Sequence, residues 1–200
     1  MSKYYWLLLL ILPMLASANP WQATFTDKAH FSVCFTPGGH CTDMIVEAIH
    51  HAHKSIEVQS YSFTSLPIVH ALISAKKRGI KIDVLLDKSN VKEKYSVLPD
   101  LEYNNIPFLI DYQPSIAHNK IMIIDNCKVI TGSFNFTKSA QVRNSENVLI
   151  ITSAILAKYY RQNFYQRKQA SISLSLYQMQ FARKHYRRHN HNKIQYLMRR

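Results

Sequence analysis

The strongest constraint on the fold lies between His118 and Asn135, where two short apolar segments flank a polar turn. Asp125-Asn126-Cys127-Lys128 supplies the turn, so the two segments are expected to pair as a β-hairpin. Strand alternation then puts His118 and Lys120 on one face, with Asn119 and Ile121 on the other. Ser133 and Asn135 repeat the two-residue spacing on the second segment. An imidazole, an ammonium, a hydroxyl and an amide therefore converge. A neutral imidazole can attack, while Lys, Ser and Asn side chains hold a tetrahedral anion.

Around the hairpin, strand and helix signals alternate. Strands are expected at Phe31–Phe35, Ile56–Tyr61, Ile80–Leu86, Ile106–Ile110 and Val148–Thr152. Thr42 is read as the cap of a helix whose apolar positions are Ile45, Ala48, Ile49 and Ala52. A second helix covers Leu66–Arg78 and stops at Gly79; a third occupies part of Val91–Asn104, and a fourth runs from Ser153 to Gln169. This order gives an α/β fold: one mixed β-sheet flanked by helices on both faces.

Residues 1–18 read as a signal peptide: Lys3, an apolar run from Tyr4 to Leu15, then Ala16-Ser17-Ala18 as a cleavage signal. The apolar run is short for a membrane span, with an uncleaved anchor as the alternative. The chain is thus expected to be exported, to the periplasm or beyond. Export favours a disulfide between Cys34 and Cys41, which bracket the turn-rich Phe-Thr-Pro-Gly-Gly-His loop and leave Cys127 over. His40 alone does not complete a zinc set with them.

The net charge of +13 is uneven. Residues 168–200 carry eight Lys/Arg and no acid, whereas residues 19–167 carry sixteen basic and twelve acidic side chains. A domain over residues 19–167 with a basic extension at 168–200 follows. Its expected partners are polyanions, either nucleic acid or an anionic membrane surface. Leu174, Tyr177 and Phe181 have amphipathic helical spacing. The extension reads equally as a solvated tail or as a polyanion-binding arm. His185, His189 and His191 lack an acidic or thiol partner for a metal.

The ordered set His-x-Lys, four residues, Asp, then Gly-Ser-x-Asn resembles the phospholipase D superfamily, in particular its short bacterial members with one motif per chain. Ser60-Tyr-Ser-Phe-Thr64, Lys76-Lys-Arg-Gly79, Gly132-Ser-Phe-Asn-Phe-Thr137 and Asn144-Ser-Glu-Asn147 extend the resemblance from about Phe31 to Arg167. It implies a homodimer in which two half-sites form the active centre. One His118 becomes a phosphohistidine while the second copy's His118 acts as acid, then base. No cofactor and no metal are expected. Lys120, Ser133 and Asn135 bind phosphate oxygens, and Glu146 holds the His118 tautomer. Asp125 completes the motif, yet strand parity turns it away from His118 toward a structural role.

A lone His in a hairpin is ordinarily a surface or packing residue, and a lone Ser or Asn beside Gly is ordinarily turn chemistry. The joint spacing is what argues for catalysis. Three functions remain open. One is a metal-independent, non-specific endonuclease for DNA or RNA. A second is a phospholipase D hydrolysing phosphatidylcholine-type lipids to phosphatidic acid, and a third is a non-catalytic nucleic-acid-binding protein. The lack of a sizeable apolar insertion to shape an acyl-chain pocket favours the nuclease; the intact His118, Lys120, Ser133, Asn135 and Glu146 set argues against the binding protein.

Overall fold

The computed structural model describes residues 23–26 and 28–181. The signal segment at 1–18 and the tail from residue 182, with its three histidines, lie outside the described residues.

Seven strands form a single sheet: β1 (His30–Thr36), β2 (Ser55–Ser60), β3 (Lys81–Asp87), β4 (Phe108–Asp111), β5 (Lys120–Ile124), β6 (Lys128–Gly132) and β7 (Glu146–Thr152). Their order is β1-β7-β6-β5-β2-β3-β4. β2, β3 and β4 run parallel, and the other pairs are antiparallel. α1 (Cys41–His50), α2 (Leu66–Lys77), α3 (Leu98–Tyr103), α4 (Lys138–Val142) and α5 (Ala154–Ala170) complete the chain.

The expected mixed sheet with helices on both faces is what forms. On the first face Ile45 and Ile49 of α1 and Leu72 of α2 belong to one buried cluster with Val58, Met122, Ile124 and Ile130 of the sheet. On the second, Ala157 and Phe164 of α5 bury against Leu85, Ile123 and Val129. Parallel strands covered on both sides must be apolar on both sides, which is why Val84, Leu85 and Leu86 are all buried.

Several local expectations need correction. Thr42 does not cap α1: His40 is the N-cap residue, and Thr42 sits inside the first turn, where its N–H donates to Gln141 Oε1 at 2.8 Å. The third helix does fall within Val91–Asn104: after a short 3₁₀ turn at Lys88–Val91, α3 starts at Leu98, where Pro99 suits a first-turn position. Ser133 and Asn135 lie beyond the end of β6, not on a strand. The Cys34–Cys41 disulfide is present, with Cα atoms 5.5 Å apart, and Cys127 is a free thiol.

The hairpin turns on Asp125 and Asn126, both left-handed at φ 53° and 60°, a conformation their short polar side chains tolerate. Asp125 also fixes the hairpin to the body. Its carboxylate accepts the backbone N–H groups of His53 (2.8 Å), Lys54 (2.6 Å) and Ser55 (3.0 Å) at the start of β2. Partial burial pushes this carboxyl up, but those donors and the neighbouring His53 outweigh it and hold it below the usual aspartate range.

α5 is attached by charge as well as by apolar packing. Glu57, Asp83 and Asp111 project from β2, β3 and β4 toward it and pair with Arg161 (3.5 Å), Lys168 (2.7 Å) and, bidentately, Arg167. Past α5, Ile172 exchanges both backbone hydrogen bonds with Ile110. Residues 174–181 are helical, and Leu174 and Tyr177 pack on the core. The amphipathic spacing thus marks a docked helix.

Asp125→Ala leaves three N–H groups without their acceptor. At about 1 kcal/mol each it should cost about 3 kcal/mol at neutral pH, read as a lower midpoint in urea unfolding. Because the folded-state carboxyl is depressed, that stabilisation is present above the ordinary aspartate value and lost as pH falls through the folded one. The wild-type and variant midpoints should therefore converge in acid.

Candidate active site

The antiparallel register brings the ends of β2 and β6 and the starts of β5 and β7 to one end of the sheet. Ser60 is paired with Lys120 and Gly132 with Val148. Tyr61 N–H extends the ladder to Asn119 O at 2.8 Å, which holds the segment carrying His118 in place. Every expected site residue except Asp125 lies at this end. Asp125 directly follows the opposite end of β5.

His118 is exposed, and its ring packs against Tyr61 with centroids 4.6 Å apart. Lys120 is only 6 % exposed. Its Nζ donates to His118 O at 2.8 Å and lies 2.9 Å from Nδ1 and 3.1 Å from Nε2 of the same ring. The two ring lone pairs diverge, so an ammonium nearly equidistant from both nitrogens sits over the ring. The residue as a whole is exposed, so the ring remains reachable from solvent. Burial pushes Lys120 below the ordinary lysine value, and the Glu146 carboxylate pulls it part of the way back.

Gly132 makes the second half of the site. Its φ is +143°, and a Cβ there would stand 2.2 Å from Asn147 O, so only glycine lets β6 end this close to β7. Ser133 follows. Its hydroxyl donates to Glu146 Oε2 at 2.5 Å and accepts from Asn147 N–H at 3.1 Å. Asn144 Nδ2 donates to the other Glu146 oxygen at 2.9 Å. Both carboxylate oxygens are thus engaged along the β6–β7 loop. The expected Glu146–His118 hydrogen bond is not formed within the chain, because Ser133 and Asn144 lie nearer in sequence to that carboxylate and take it. The single Ser133 proton is likewise committed to Glu146.

Asn135 carries a buried amide oxygen with no partner. Buried polar groups are ordinarily satisfied, so an orphan at this place points to a ligand. Rotation about Cβ–Cγ exchanges the amide oxygen and nitrogen with little change of shape and can present N–H to an oxyanion. Among the described residues no three His, Cys, Asp or Glu side chains gather as a metal site.

Tyr61, Asn144 and Asn147 were not assigned roles from the sequence. Tyr61 stood in the Ser-Tyr-Ser segment that ends β2, and Asn144 and Asn147 flank Glu146, so proximity to the motif was the available signal.

Comparison with known proteins agrees with this geometry. Residues 45–168 match the family described as "Cardiolipin synthase, PLD-like domain". The chain is 47% identical over 156 residues to a protein named Phospholipase D from Rickettsia prowazekii, covering 78% of this chain and 76% of that one. The crystal structure of Nuc from Salmonella typhimurium, a phospholipase D family member, superposes with a TM-score of 0.69 at 33% identity, covering 72% of this chain and 97% of Nuc. NucT from Helicobacter pylori shares the fold, with a TM-score of 0.67 at 23% identity over 74% of this chain and all of NucT. A sheet end that stacks Tyr61 and Lys120 on His118 beside a Ser133–Glu146 pair, in a chain so matched, belongs to a phosphoric diester hydrolase of the phospholipase D superfamily.

Proposed function

We propose that the protein is an exported, metal-independent endonuclease of low sequence preference that works as a homodimer. The observation that carries the choice of substrate is the placement of apolar space. A cavity of about 330 Å³ lined by Phe25, Ile121, Leu156 and Tyr160 does exist, but on the α5 face of the sheet. His118 and Lys120 belong to the opposite face. The imidazole is instead exposed and touched by Tyr61 and Lys120, and the polar Ser133–Glu146–Asn144 cluster lies at the same end of the sheet, which suits a backbone phosphate.

One chain brings one histidine, His118, to this end of the sheet, whereas the reaction needs a nucleophile and an acid. In the proposed dimer an in-plane nitrogen of His118 attacks phosphorus and forms the N–P bond. The P–O bond to the leaving group breaks, and that oxygen takes a proton from His118 of the partner subunit. The latter, now neutral, removes a proton from water as its oxygen attacks phosphorus. The N–P bond then breaks and its electron pair returns to the ring. Lys120 supplies the positive charge beside the phosphoryl oxygens, and the Asn135 amide supplies a neutral donor.

A second reading, hydrolysis of phospholipid head groups, is supported by the naming of the Rickettsia relatives, which are 47–49% identical. The Rickettsia prowazekii protein is matched over 76% of its length. The same half-sites could perform it.

Purified protein is expected to degrade plasmid DNA in EDTA. His118→Ala should lower that rate at least 10³-fold while sedimentation still shows a dimer. Cleavage of phosphatidylcholine with untouched DNA would select the second reading, and full turnover by a monomer would remove the paired-histidine mechanism.

The lowered Lys120 value sets a pH limit. Hydrolysis of a single phosphodiester should decline on the alkaline side with a half-point below the ordinary lysine value of 10.5, as the ammonium is lost. Folding disfavours this buried charge, so deprotonating Lys120 does not itself reduce stability. Unfolding measured over the same pH range should show no matching loss from this group.

Truncation after Phe181 removes seven Lys/Arg residues. It should weaken salt-dependent DNA binding and flatten its salt slope, while leaving the turnover of a small phosphodiester intact.

A further inference from the structure

Behind the Gly-Ser-Phe-Asn-Phe-Thr loop lies a cavity of about 430 Å³ that the catalytic residues do not line. The first turns of α1 and α2 open into it through Thr42, Asp43, Leu66 and Pro67, and Lys138 closes one side. Thr64 N–H and Ser65 N–H both donate to Phe136 O at 2.9 Å, so the start of α2 is tied to the residue directly after Asn135. Lys138 is three residues beyond Asn135, at most about 10 Å of chain.

Two hydroxyls in this cavity have no role inside the chain. Ser65 is 4 % exposed and Thr42 9 % exposed, yet neither hydroxyl makes a hydrogen bond among the described residues. Ser65 is the N-cap residue of α2 but makes no capping bond, and α1 likewise lacks a side-chain cap. Such positions ordinarily spend a hydroxyl on the free N–H groups of the first turn. Here the N-terminal ends of a ten-residue and a twelve-residue helix face the cavity with a favourable dipole and no bond from their own N-cap side chains, although Gln141 takes the Thr42 N–H and Pro67 has none to give. Unpaired hydroxyls on two residues that line the cavity, helix N-termini and an ammonium make one chemical demand, an oxyanion.

The opposing charge is accounted for. Asp43 lies at the rim, three-quarters exposed, and pairs with His40 at 3.2 Å. The Gln141 amide is spent bridging Gly39 O (2.7 Å) and Thr42 N–H (2.8 Å), which fixes the wall without competing for a ligand.

We propose that this cavity is a second, non-catalytic phosphate subsite, in which Ser65, Thr42 and Lys138 hold a phosphate of the same nucleic-acid strand next to the one being cut. The inference deepens the nuclease reading and rests on it for the identity of the strand. The volume admits a phosphate with its attached sugar, and Leu66 and Pro67 give that sugar an apolar wall. A single small phosphodiester occupies only the catalytic half-sites, whereas an oligonucleotide occupies both.

The test compares substrates with one phosphate and with several. Ser65→Ala, Lys138→Ala and the double variant are assayed with bis(4-nitrophenyl) phosphate and with a twelve-nucleotide single strand. The double variant should raise KM for the oligonucleotide about tenfold with kcat unchanged, and leave both constants for the small diester alone. Equal effects on the two substrates, or no effect on either, would overturn the subsite. Should the wild type cut the small diester but no oligonucleotide, the nuclease reading fails separately. Calorimetry with inorganic phosphate then decides the subsite: the wild type should take up one more phosphate per chain than the double variant, and equal uptake would overturn it.

Discussion

Antiparallel pairing of β5 with β2 is the constraint on which the site depends. It sets Lys120 opposite Ser60, and the next ladder bond, Tyr61 N–H to Asn119 O, delivers His118 onto the Tyr61 ring. A slip of one residue would send Lys120 to the α5 face and put Ile121 under the imidazole. Asp125 guards that register from the far end of β5 by holding three N–H groups at the start of β2. The motif's aspartate and its histidine thus flank one strand at opposite ends, the aspartate fixing its geometry and the histidine exposed at the candidate site.

Polar groups at this sheet end are kept in places where a purely structural protein would not keep them. A lysine is buried beside an imidazole, an amide oxygen is orphaned, and two hydroxyls near helix starts cap nothing. Each arrangement costs stability that the apolar clusters on both faces of the sheet offset. By contrast, the buried acids under α5 are all paired with basic residues of that helix. Glu57 among them is pushed up by burial, with Arg161 opposing that and Asp83 reinforcing it. At the site the Asn135 amide oxygen is left for a phosphate to satisfy, whereas under α5 each acid faces a basic residue of the helix.

How far the sequence could be read depended on the range of the interaction concerned. The hairpin, the stop at Gly79 and the Cys34–Cys41 bridge follow from residues close in sequence, and each was legible. Thr42 was misplaced because the choice of cap was made by Gln141, 99 residues away, which takes its N–H. Glu146 was expected on His118, but the local geometry after Gly132 gives it to Ser133 and Asn144. The inward acids Glu57, Asp83 and Asp111 looked like ordinary strand charges, because their partners lie on a helix remote in the chain.

By itself the sequence determined the alternation of strands and helices and the superfamily, and it named the side chains that the structure gathers at one end of the sheet, since these depend on spacing along the chain. Only the tertiary structure decided what those side chains touch: Lys120 over the imidazole, Glu146 on Ser133, and two helix starts around one cavity. Periodicity fixes the direction a side chain leaves the backbone. Which neighbour it meets is set by the sheet register and by close approaches such as Gly132 against Asn147, which no local pattern encodes.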